Sequence, residues 1–347
     1  MNILHIIPSL EIGGAQKLLT DLVPLQSQDN EVGVLVLKKE LTNFERLIKE
    51  SNAQYISLDV NNFYSFSNIF KIRKELKKWD IIHVHLFPTL YWAALASIGL
   101  KKKLVYTEHS THNKRRDKSF FRPIEQLIYS KYKSIICISN QTKENLIKWL
   151  RPKSTEKFHV IENGIDLNKF SPNSQAKNNE IIMVSRFAEM KDQETLIKAM
   201  KFVNPNFSLS LVGDGPNRKN CEKIVNEEGL TERVKFLGTQ SDIPTLLSKA
   251  YIGVQSSKWE GFGLTVVEYM ASGLPVICSN VPGLSQVVGE AGLQFEVGDH
   301  KKLAGCINQL IDDKELRNKL IERGVNVAEK YSIESMNEKY LEVYNSL

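Results

Sequence analysis

This chain of 347 residues lacks the features of several specialised protein classes. No apolar run approaches the roughly 20 residues that span a bilayer. Residues 1–7 lack the basic start, long apolar stretch and cleavage site of a signal peptide. Its four cysteines are widely spaced, which favours free thiols in a reducing compartment over disulfides or a metal site. We therefore expect an ordinary soluble protein of the cytoplasm.

Motifs for common cofactors and for nucleic acid are also absent. The glycine pair Gly13-Gly14 does not have G-x-G-x-x-G spacing, so a nicotinamide site is not supported. No two aspartates separated by one residue mark a metal site, so we expect a reaction without metal or cofactor. No nucleic-acid recognition motif accompanies the basic residues, and we expect no nucleic-acid partner.

Positive charge is concentrated in the first half of the chain. Residues 1–170 contain 26 Lys and Arg against 17 Asp and Glu, whereas the remaining residues contain 20 against 23. This asymmetry predicts an anionic partner for the N-terminal half.

Short apolar runs alternate with stretches of helical spacing, as in parallel sheets covered by helices on both faces. The first set is NILHII (2–7), VGVLVL (32–37), QYISL (54–58), DIIHVH (80–85), KLVYT (103–107) and SIICIS (134–139). After a polar segment at 162–180, the second set is IIMVS (181–185), FSLSLV (207–212), VKFL (234–237), YIGVQ (251–255) and PVICS (275–279). The pattern predicts an α/β protein with two doubly wound domains that face each other, residues 1–165 and 175–332.

Ligands of such sheets bind at the carboxyl ends of the strands. In the first half, Gly13-Gly14 opens a helix after the first strand, where unpaired amides can bind an anion. His83 and His85 share one side of a strand, but too few further ligands lie nearby for a metal. His109 follows the next strand, at the mouth of the expected cleft. A structural role remains the alternative for each of these residues.

In the second half, Arg186 and Lys191 straddle the turn after IIMVS. A planar guanidinium and a compact ammonium at this position suit a diphosphate. Gly213-Asp214 form another turn that allows close approach of a ligand to the backbone.

The stretch EGFGLTVVE places two carboxylates on either side of a turn and a helix start. Glu260 ends a loop, Gly261 to Gly263 form the turn, and the helix that begins at Leu264 offers free amides to phosphate oxygens. Glu268, one turn further, can reach ribose hydroxyls, and Glu260 can reach a sugar hydroxyl. The spacing predicts a site for a nucleoside diphosphate that carries a sugar.

Over its whole length the chain resembles the retaining glycosyltransferases of family 4. The resemblance rests on EGFGLTVVE, the SRF…K pair, LVGDGP, VKFLG, NGID and the early glycine pair. It implies the GT-B fold, in which the last helix, about 333–347, crosses back to the first domain. Gln286 departs from the family, which often has an acid in the 281–286 loop, so contacts from that loop are not carried over.

The resemblance also implies individual roles for residues of the site. Arg186 and Lys191 would bind the diphosphate, Glu268 the ribose, and Glu260 the donor sugar, while His109 would reach a donor-sugar hydroxyl. The further donor-binding positions are Gly13, Gly14, Gly213, Asp214, Gly261, Phe262, Gly263, Leu264 and Thr265.

The implied reaction is transfer of a sugar from a nucleoside-diphosphate sugar, UDP favoured over GDP, to a hydroxyl of a glycan or lipid-linked acceptor. The anomeric configuration would be retained, without metal, in the assembly of polysaccharide, lipopolysaccharide or capsule. A GT-B sugar-nucleotide epimerase, which needs no acceptor, is the alternative.

Two basic clusters then suggest where the protein works. Lys101–Lys103 and Lys114–Arg122 are cationic, and aromatic residues nearby could enter a leaflet: Phe63, Tyr64, Phe66, Phe120 and Phe121. Cations with aromatics suit an anionic membrane surface or a lipid diphosphate. We predict peripheral attachment at the inner face of the membrane, with solvated surface lysines as the alternative.

Overall fold

A computed structural model describes the chain except for Ile12, His112, Lys114 and residues 173–176. The described residues form two compact units, Met1–Gly164 with Ile333–Leu347, and Ile165–Ser332. We call them the N-terminal unit and the C-terminal unit. The segment that begins at Ile165 belongs to the second unit, although its polar sequence predicts a connection between the two domains. Ile165 is buried, and its amide donates to the carbonyl of Tyr331 at 2.8 Å.

The N-terminal unit contains a parallel sheet. Its described strands are β1 (Asn2–Ile7), β2 (Glu31–Val36), β3 (Gln54–Ser57), β4 (Ile81–His85), β5 (Lys103–Glu108), β6 (Ser134–Cys137) and β7 (Phe158–Val160). Its described helices are α1 (Gly14–Gln26), α2 (Asn43–Glu50), α3 (Asn68–Leu76), α4 (Thr89–Ala96), α5 (Phe121–Ser130), α6 (Asn140–Leu150) and α14 (Ile333–Asn345). The strand order is β3-β2-β1-β4-β5-β6-β7.

The apolar runs are continuous because this sheet is buried on both faces. Leu4 and Ile6 of β1 pack in one cluster with residues of α3 and α4, whereas Ile3 packs in another with residues of α14. Alternate strand residues point to opposite faces, so both must be apolar. The closing helix α14 contributes Met336 and Tyr340 to the second cluster.

The C-terminal unit repeats this plan with a smaller parallel sheet. Its described strands are β8 (Glu180–Val184), β9 (Ser208–Val212), β10 (Val234–Gly238), β11 (Ile252–Gln255), β12 (Val276–Ser279) and β13 (Gly292–Phe295). Its described helices are α7 (Gln193–Ala199), α8 (Arg218–Glu227), α9 (Ile243–Lys249), α10 (Leu264–Ala271), α11 (Pro282–Val288), α12 (His300–Asp312) and α13 (Lys314–Ala328). Short 3₁₀ turns occur at Glu189–Lys191, Gly289–Ala291 and Glu329–Tyr331. The strand order is β10-β9-β8-β11-β12-β13.

The predicted α/β architecture is confirmed, and the differences are local. Residues 301–329, which by sequence look like one long helical segment, form two helices, α12 and α13. The carboxylate of Asp313 accepts from the amide of Leu316 and caps the second of these helices. The edge strands β7 and β13 and the helix α11 were not predicted.

Two expectations from the sequence concern the cysteines and membrane-spanning helices. All four cysteines are buried and unpaired, as predicted. Within the described part of the chain, no helix combines the length and apolarity required to cross a bilayer.

Candidate functional site

In the C-terminal unit, two loops at the carboxyl ends of β8 and β9 pack directly against each other. The amide of Phe187 donates to the carbonyl of Asp214 at 3.0 Å. Gly213 has φ of +126°, and a Cβ there would lie 2.1 Å from the carbonyl oxygen of Ser185. Only glycine permits this approach. The contact leaves the side chains of Arg186 and Asp214 exposed on adjoining turns.

Lys191 and Glu260 form an ion pair at the ends of β8 and β11, although 69 positions separate them in sequence. Their side chains are 21% and 13% exposed. The hydroxyl of Ser257 donates to Oε1 of Glu260 at 2.9 Å, and the amide of Gln255 donates to the hydroxyl of Ser257 at 2.9 Å. We call these four residues the Lys191–Glu260 cluster.

Hydrogen bonds to backbone carbonyls hold the two loops of this cluster together. The hydroxyl of Ser256 donates to the carbonyl of Asp192 at 2.8 Å, and the amide of Lys258 donates to the carbonyl of Met190 at 2.8 Å. Burial raises the pKa of Asp192, and a hydrogen bond from the hydroxyl of Thr195 at 2.7 Å opposes that rise. These hydrogen bonds hold the backbone at Met190 and Asp192, the residues on either side of Lys191.

The turn after Glu260 leads directly into α10. Gly263, the residue before the helix, has φ of +88°, and a Cβ there would lie 2.6 Å from Cδ2 of Leu284. Gly263 is also the N-cap residue of α10, so it has no side chain that could cap the first amides of the helix. Phe262 is buried and its ring contacts Tyr331 with 5.3 Å between centroids, so only its backbone is offered to a ligand. Glu268 lies on the same helix, one turn beyond Leu264, and is buried.

The loop that departs from the family pattern contacts the site through backbone. Gly283 of α11 lies so close to Glu260 that a Cβ would be 2.4 Å from the carbonyl oxygen of Glu260. Gln286 is exposed on the same helix. The structure therefore brings together Glu260, Lys191, the turn at 261–263 and the start of α10, with Arg186 on an adjoining turn.

In the N-terminal unit, Gly13 and Gly14 begin α1, but the local backbone does not require glycine there. Gly13 has φ of −173°, an extended conformation open to any residue. A Cβ at Gly13 would meet only the flexible side chain of Gln16, at 2.5 Å. Close approach of a ligand to this turn stays a prediction.

His83 and His85 belong to a larger cluster of histidines. β1 pairs with β4 so that His5 lies opposite His83, and all three rings are buried. The ring centroids of His83 and His85 are 4.3 Å apart, and those of His5 and His83 are 5.2 Å apart. His5, which lies within the apolar run NILHII, was not predicted as part of this cluster. The strands β1 and β4 are usual neighbours at the centre of a doubly wound sheet, and aligning them would have placed His5 beside His83.

Protein atoms already occupy the nitrogens through which these three rings could bind a metal. The candidate ligand atoms lie within 4.8 Å of one another. However, the ring nitrogens of His83 lie 2.5 Å from the hydroxyl of Tyr344 and 2.6 Å from that of Thr107. Those of His5 lie 2.8 Å from Oε1 of Gln26 and 3.1 Å from His85. A metal would have to break these bonds, so the geometry favours a hydrogen-bond network over a metal centre.

The network reaches a partly exposed ring at the end of β5. Nε2 of His109 lies 3.1 Å from Nδ1 of His85. Burial lowers the pKa of His5 and of His109 to about 4. Burial and the neighbouring rings hold the pKa of His83 and of His85 well below the ordinary value. All four imidazoles are therefore neutral near pH 7.

Comparison with known proteins identifies the family. Residues 12–169 match the family described as Glycosyltransferase Family 4, and residues 164–327 match Glycosyl transferases group 1. An uncharacterised glycosyltransferase of Methanocaldococcus jannaschii is 32% identical over 81% of this chain and 80% of its own length. The chain belongs to the GT-B glycosyltransferases of family 4 type.

Other relatives are also glycosyltransferases. A UDP-Gal:alpha-D-GlcNAc-diphosphoundecaprenol alpha-1,3-galactosyltransferase of Escherichia coli is 27% identical over 82% of this chain and 80% of its own length. The lipopolysaccharide core glycosyltransferase LpsE of Rhizobium meliloti is 34% identical over about half of each chain, 48% and 49%. Among solved structures, Anabaena HepE in complex with UDP and glucose has a TM-score of 0.89, with 24% identity and full coverage of both chains.

These findings confirm the predicted GT-B fold of this glycosyltransferase, and they disfavour the epimerase alternative. Among these relatives, LpsE acts in lipopolysaccharide core biosynthesis, and the Escherichia coli enzyme acts on GlcNAc-diphosphoundecaprenol.

The basic residues of the glycosyltransferase are arranged differently from the prediction. Arg116 is almost fully buried in an ion pair with Glu108, and Arg115 pairs with buried Glu125 at 3.0 Å. The guanidinium of Arg122 lies over the ring of Trp149, 4.9 Å from its centroid. Acidic partners within the unit already pair with Arg115 and Arg116, and contact of this segment with lipid stays a prediction.

The two basic clusters lie at opposite ends of one strand. Lys101 and Lys102 precede β5, Lys103 is its first residue, and 115–122 follow it. A strand of six residues separates its ends by about 16 Å. Lys118 remains exposed, and Lys114 lies outside the described residues.

Proposed function

We propose that this glycosyltransferase binds a UDP-sugar in the C-terminal unit and transfers the sugar, with retention, to a hydroxyl of a glycan or lipid-linked acceptor. The product would enter a polysaccharide such as lipopolysaccharide or capsule. The observation that carries this proposal is the Lys191–Glu260 cluster beside the uncapped start of α10, with Arg186 exposed on an adjoining turn.

The departing diphosphate requires compensation of negative charge. Lys191, Arg186 and the first amides of α10 supply it from a fixed backbone, and preorganised donors of this kind are worth roughly 3–4 kcal/mol each. In the structure the ammonium of Lys191 pairs with Glu260. A diphosphate carries more negative charge than one carboxylate, so it would take over the ammonium and release Glu260 to bind a sugar hydroxyl.

Glu268 would bind the ribose of the nucleotide. It lies on α10, the helix whose first amides would bind the phosphates. Gly213 and Asp214 would contact the donor at the neighbouring turn, and the backbone of Gly261 to Thr265 would contact the phosphates and the sugar.

Two comparisons support UDP as the nucleotide and a lipid-linked acceptor. The Escherichia coli relative uses UDP-Gal and a GlcNAc-diphosphoundecaprenol acceptor. HepE was solved with UDP and glucose.

The bond changes follow from retention. The bond from the anomeric carbon to the diphosphate oxygen breaks, and a bond to the acceptor oxygen forms on the same face of the sugar. The acceptor proton passes to the departing phosphate oxygen. With Arg186 and Lys191 compensating the charge, we expect no metal and no cofactor.

We also propose that the enzyme works at the cytoplasmic face of a membrane. Three aromatic side chains of the N-terminal unit are largely exposed, Tyr64 at 63%, Phe66 at 71% and Phe120 at 62%. Phe66 contacts Trp92 of α4, and Phe120 precedes α5, which packs beside α4. Exposed Lys118 lies close to Phe120 in sequence. Aromatic rings next to a cation suit an anionic leaflet.

A donor screen tests the proposal directly. Purified protein is incubated with UDP-, GDP- and ADP-sugars, and thermal unfolding and release of nucleoside diphosphate are measured with and without chelator. We expect stabilisation and slow hydrolysis with UDP-sugars, unchanged by chelator. Stabilisation only by GDP-sugars would replace the nucleotide, a strict metal requirement would replace the metal-free mechanism, and no response to any donor would overturn the assignment.

A further inference from the structure

The two carboxylate oxygens of Glu260 have different surroundings. Oε1 accepts from the ammonium of Lys191, from the hydroxyl of Ser257 at 2.9 Å and from the side-chain amide of Gln255 at 3.4 Å. Within the described part of the chain, Oε2 of Glu260 has no hydrogen-bond partner. Because the side chain is still 13% exposed, Oε2 is the oxygen that remains open to a ligand.

The hydroxyl of Ser257 links Gln255 to Glu260. The side-chain amide of Gln255 donates to this hydroxyl at 2.9 Å, so the hydroxyl hydrogen is free to donate to Oε1 of Glu260. The reverse orientation of the Gln255 amide would place its carbonyl oxygen beside a carboxylate oxygen, and neither atom could donate. The chemistry of the three groups therefore fixes the direction of both bonds.

Packing alone does not explain a glutamine at position 255. Gln255 is the last residue of β11, which lies between β8 and β12, and it is 1% exposed. Its carbonyl oxygen is buried, and no described residue donates to it. A buried acceptor without a partner lowers the stability of the fold. An apolar side chain of similar size would avoid this loss, so the hydrogen bonds of the amide nitrogen are the reason to look for.

We propose that Gln255 and Ser257 are positioning residues for Glu260. They hold Oε1 so that Oε2 faces the ligand, and they continue to hold it after the ammonium of Lys191 has moved to a diphosphate. The step with the ligand rests on the proposed function, whereas the hydrogen-bonded arrangement of the three side chains does not. Without these two anchors, Glu260 would have Lys191 as its remaining partner and would lose its orientation when that cation leaves.

Unfolding of the protein without ligand tests the arrangement itself. Ser257→Ala leaves the buried amide of Gln255 without its nearest acceptor, so it should destabilise the wild type more than it destabilises Gln255→Met. We expect the effects of the two substitutions on the unfolding equilibrium constant to depart from additivity by about 5-fold or more. Denaturant unfolding of the wild type, both single variants and the double variant measures this. Additive effects would overturn the inference, whether or not any donor binds.

Donor kinetics test the role of the two anchors. With a UDP-sugar, Gln255→Met and Ser257→Ala should each lower kcat about 10-fold, the value of one hydrogen bond, because Glu260 is held less firmly. The affinity for free UDP, which has no sugar for Glu260 to bind, should stay near the wild-type value. A loss of UDP affinity in parallel with kcat would indicate general damage to the site and would overturn the positioning role.

A buried serine of the same unit provides the matched control for Ser257→Ala. Ser272 follows α10, and its hydroxyl is buried without a hydrogen-bond partner among the described residues. Ser272→Ala should therefore leave both kcat and the affinity for UDP near the wild-type values. A loss of kcat in Ser272→Ala as large as that in Ser257→Ala would contradict a specific role for Ser257.

Gln255→Glu separates positioning from packing through the pH dependence of kcat. The introduced carboxyl has nearly the shape of the amide, and in its protonated form it can donate to Ser257. In its ionised form it cannot donate, and it repels the carboxylate of Glu260. Relative to wild type, kcat of Gln255→Glu should fall about 10-fold from about pH 5.5 to about pH 8.5, whereas that of Gln255→Met should be low throughout. A ratio for Gln255→Glu that is independent of pH would overturn the positioning role.

These outcomes distinguish the inference from the proposed function. A wild type that releases UDP from no donor overturns the proposed function and the ligand step of the inference, whereas non-additive unfolding still supports the anchors. An active enzyme in which Gln255→Met and Ser257→Ala both keep the wild-type kcat overturns the role of the anchors and leaves the proposed function standing.

Discussion

The two units of this glycosyltransferase have the same architecture but different chemistry at the carboxyl ends of their strands. The N-terminal unit gathers neutral imidazoles, with Gln26, Thr107 and Tyr344 as partners. The C-terminal unit gathers charged groups, with Lys191 paired to Glu260 and Arg186 exposed beside them. In the first unit burial lowers the pKa of the histidines, whereas the second unit pairs side chains of opposite charge.

This difference matches two separate tasks. A neutral network fixes the direction of hydrogen bonds, because each imidazole has one donor and one acceptor. A charged, partly exposed cluster can exchange its carboxylate partner for a diphosphate. In our proposal the charged cluster of the second unit stabilises the leaving group, whereas the neutral network orders hydrogen bonds within the first unit.

The largest effect is expected from the charges of the C-terminal unit. Arg186→Ala and Lys191→Ala should each lower turnover about 100-fold or more, because each removes compensation of developing negative charge. Initial rates of UDP release would measure this. Lys201→Ala is the matched control, since Lys201 is an exposed cation paired with Glu228 in the same unit. Near-normal rates in both site variants would place the diphosphate elsewhere.

Glu268 should affect binding more than chemistry. Glu268→Ala removes the contact between a carboxylate and the ribose hydroxyls, worth about 1.5–3 kcal/mol. The affinity for free UDP, measured by calorimetry, should therefore fall by about 10- to 100-fold, with little change in sugar preference. Glu227→Ala, at an exposed residue at the end of α8 in the same unit, is the control. Equal affinity of Glu268→Ala and wild type for UDP would remove Glu268 from the site.

Neutral histidines predict a pH dependence confined to the first unit. The pKa of His5 and of His109 is about 4 in the folded state, below the ordinary value of 6.5. The unfolded chain therefore binds more protons between these values, so stability is complete above about pH 6.5 and decreases as pH falls towards 4. The loss reaches at most about 1.4 kcal/mol per pH unit for each such histidine.

Denaturant unfolding at pH 7.5, 6 and 5 would measure that loss. His5→Gln should weaken the dependence, whereas His300→Gln, at the start of α12 in the other unit, should leave it unchanged. Stability that is constant from pH 7.5 to 5 would show that the histidines are not held neutral.

The smallest effect is expected at the membrane. Wild type should sediment with anionic liposomes at low salt and be released by salt, because each engaged cation contributes only about 1 kcal/mol. Phe66→Ser with Phe120→Ser should weaken the binding without changing affinity for UDP. Phe202→Ser, at an aromatic residue of the C-terminal unit that is 50% exposed, is the control. Wild type that ignores anionic liposomes would make a soluble acceptor the better proposal.

The strands and the sequence motifs were predictable because they depend on local pattern. Continuous apolar runs indicated the central strands correctly, since those strands are buried on both faces. The edge strand β7 was missed because three residues, FHV, with polar neighbours carry no such pattern. Helix α11 was missed because it is only seven residues long and begins with a proline.

Side-chain partners were not predictable from local pattern. Arg115 and Arg116 look like surface cations in KRRDK, but their partners Glu125 and Glu108 lie on separate elements and only tertiary packing unites them. His5 and Gln26 looked like an ordinary strand residue and helix residue, and the register of β1 beside β4 brings the first of them to His83. Likewise, the sequence placed Lys191 and Glu260 in one site without indicating that they pair.

The most direct test of the division between the units is UDP release with wild type and Lys191→Met. Each protein is mixed with the UDP-sugar that stabilises it best and a diphospholipid-linked glycan acceptor, and free UDP is followed over time, with Lys201→Met as control. The account predicts acceptor-dependent release of UDP by wild type and by Lys201→Met, and release at least about 100-fold slower by Lys191→Met. Equal release by wild type and Lys191→Met would contradict the claim that the charged cluster of the C-terminal unit stabilises the leaving diphosphate.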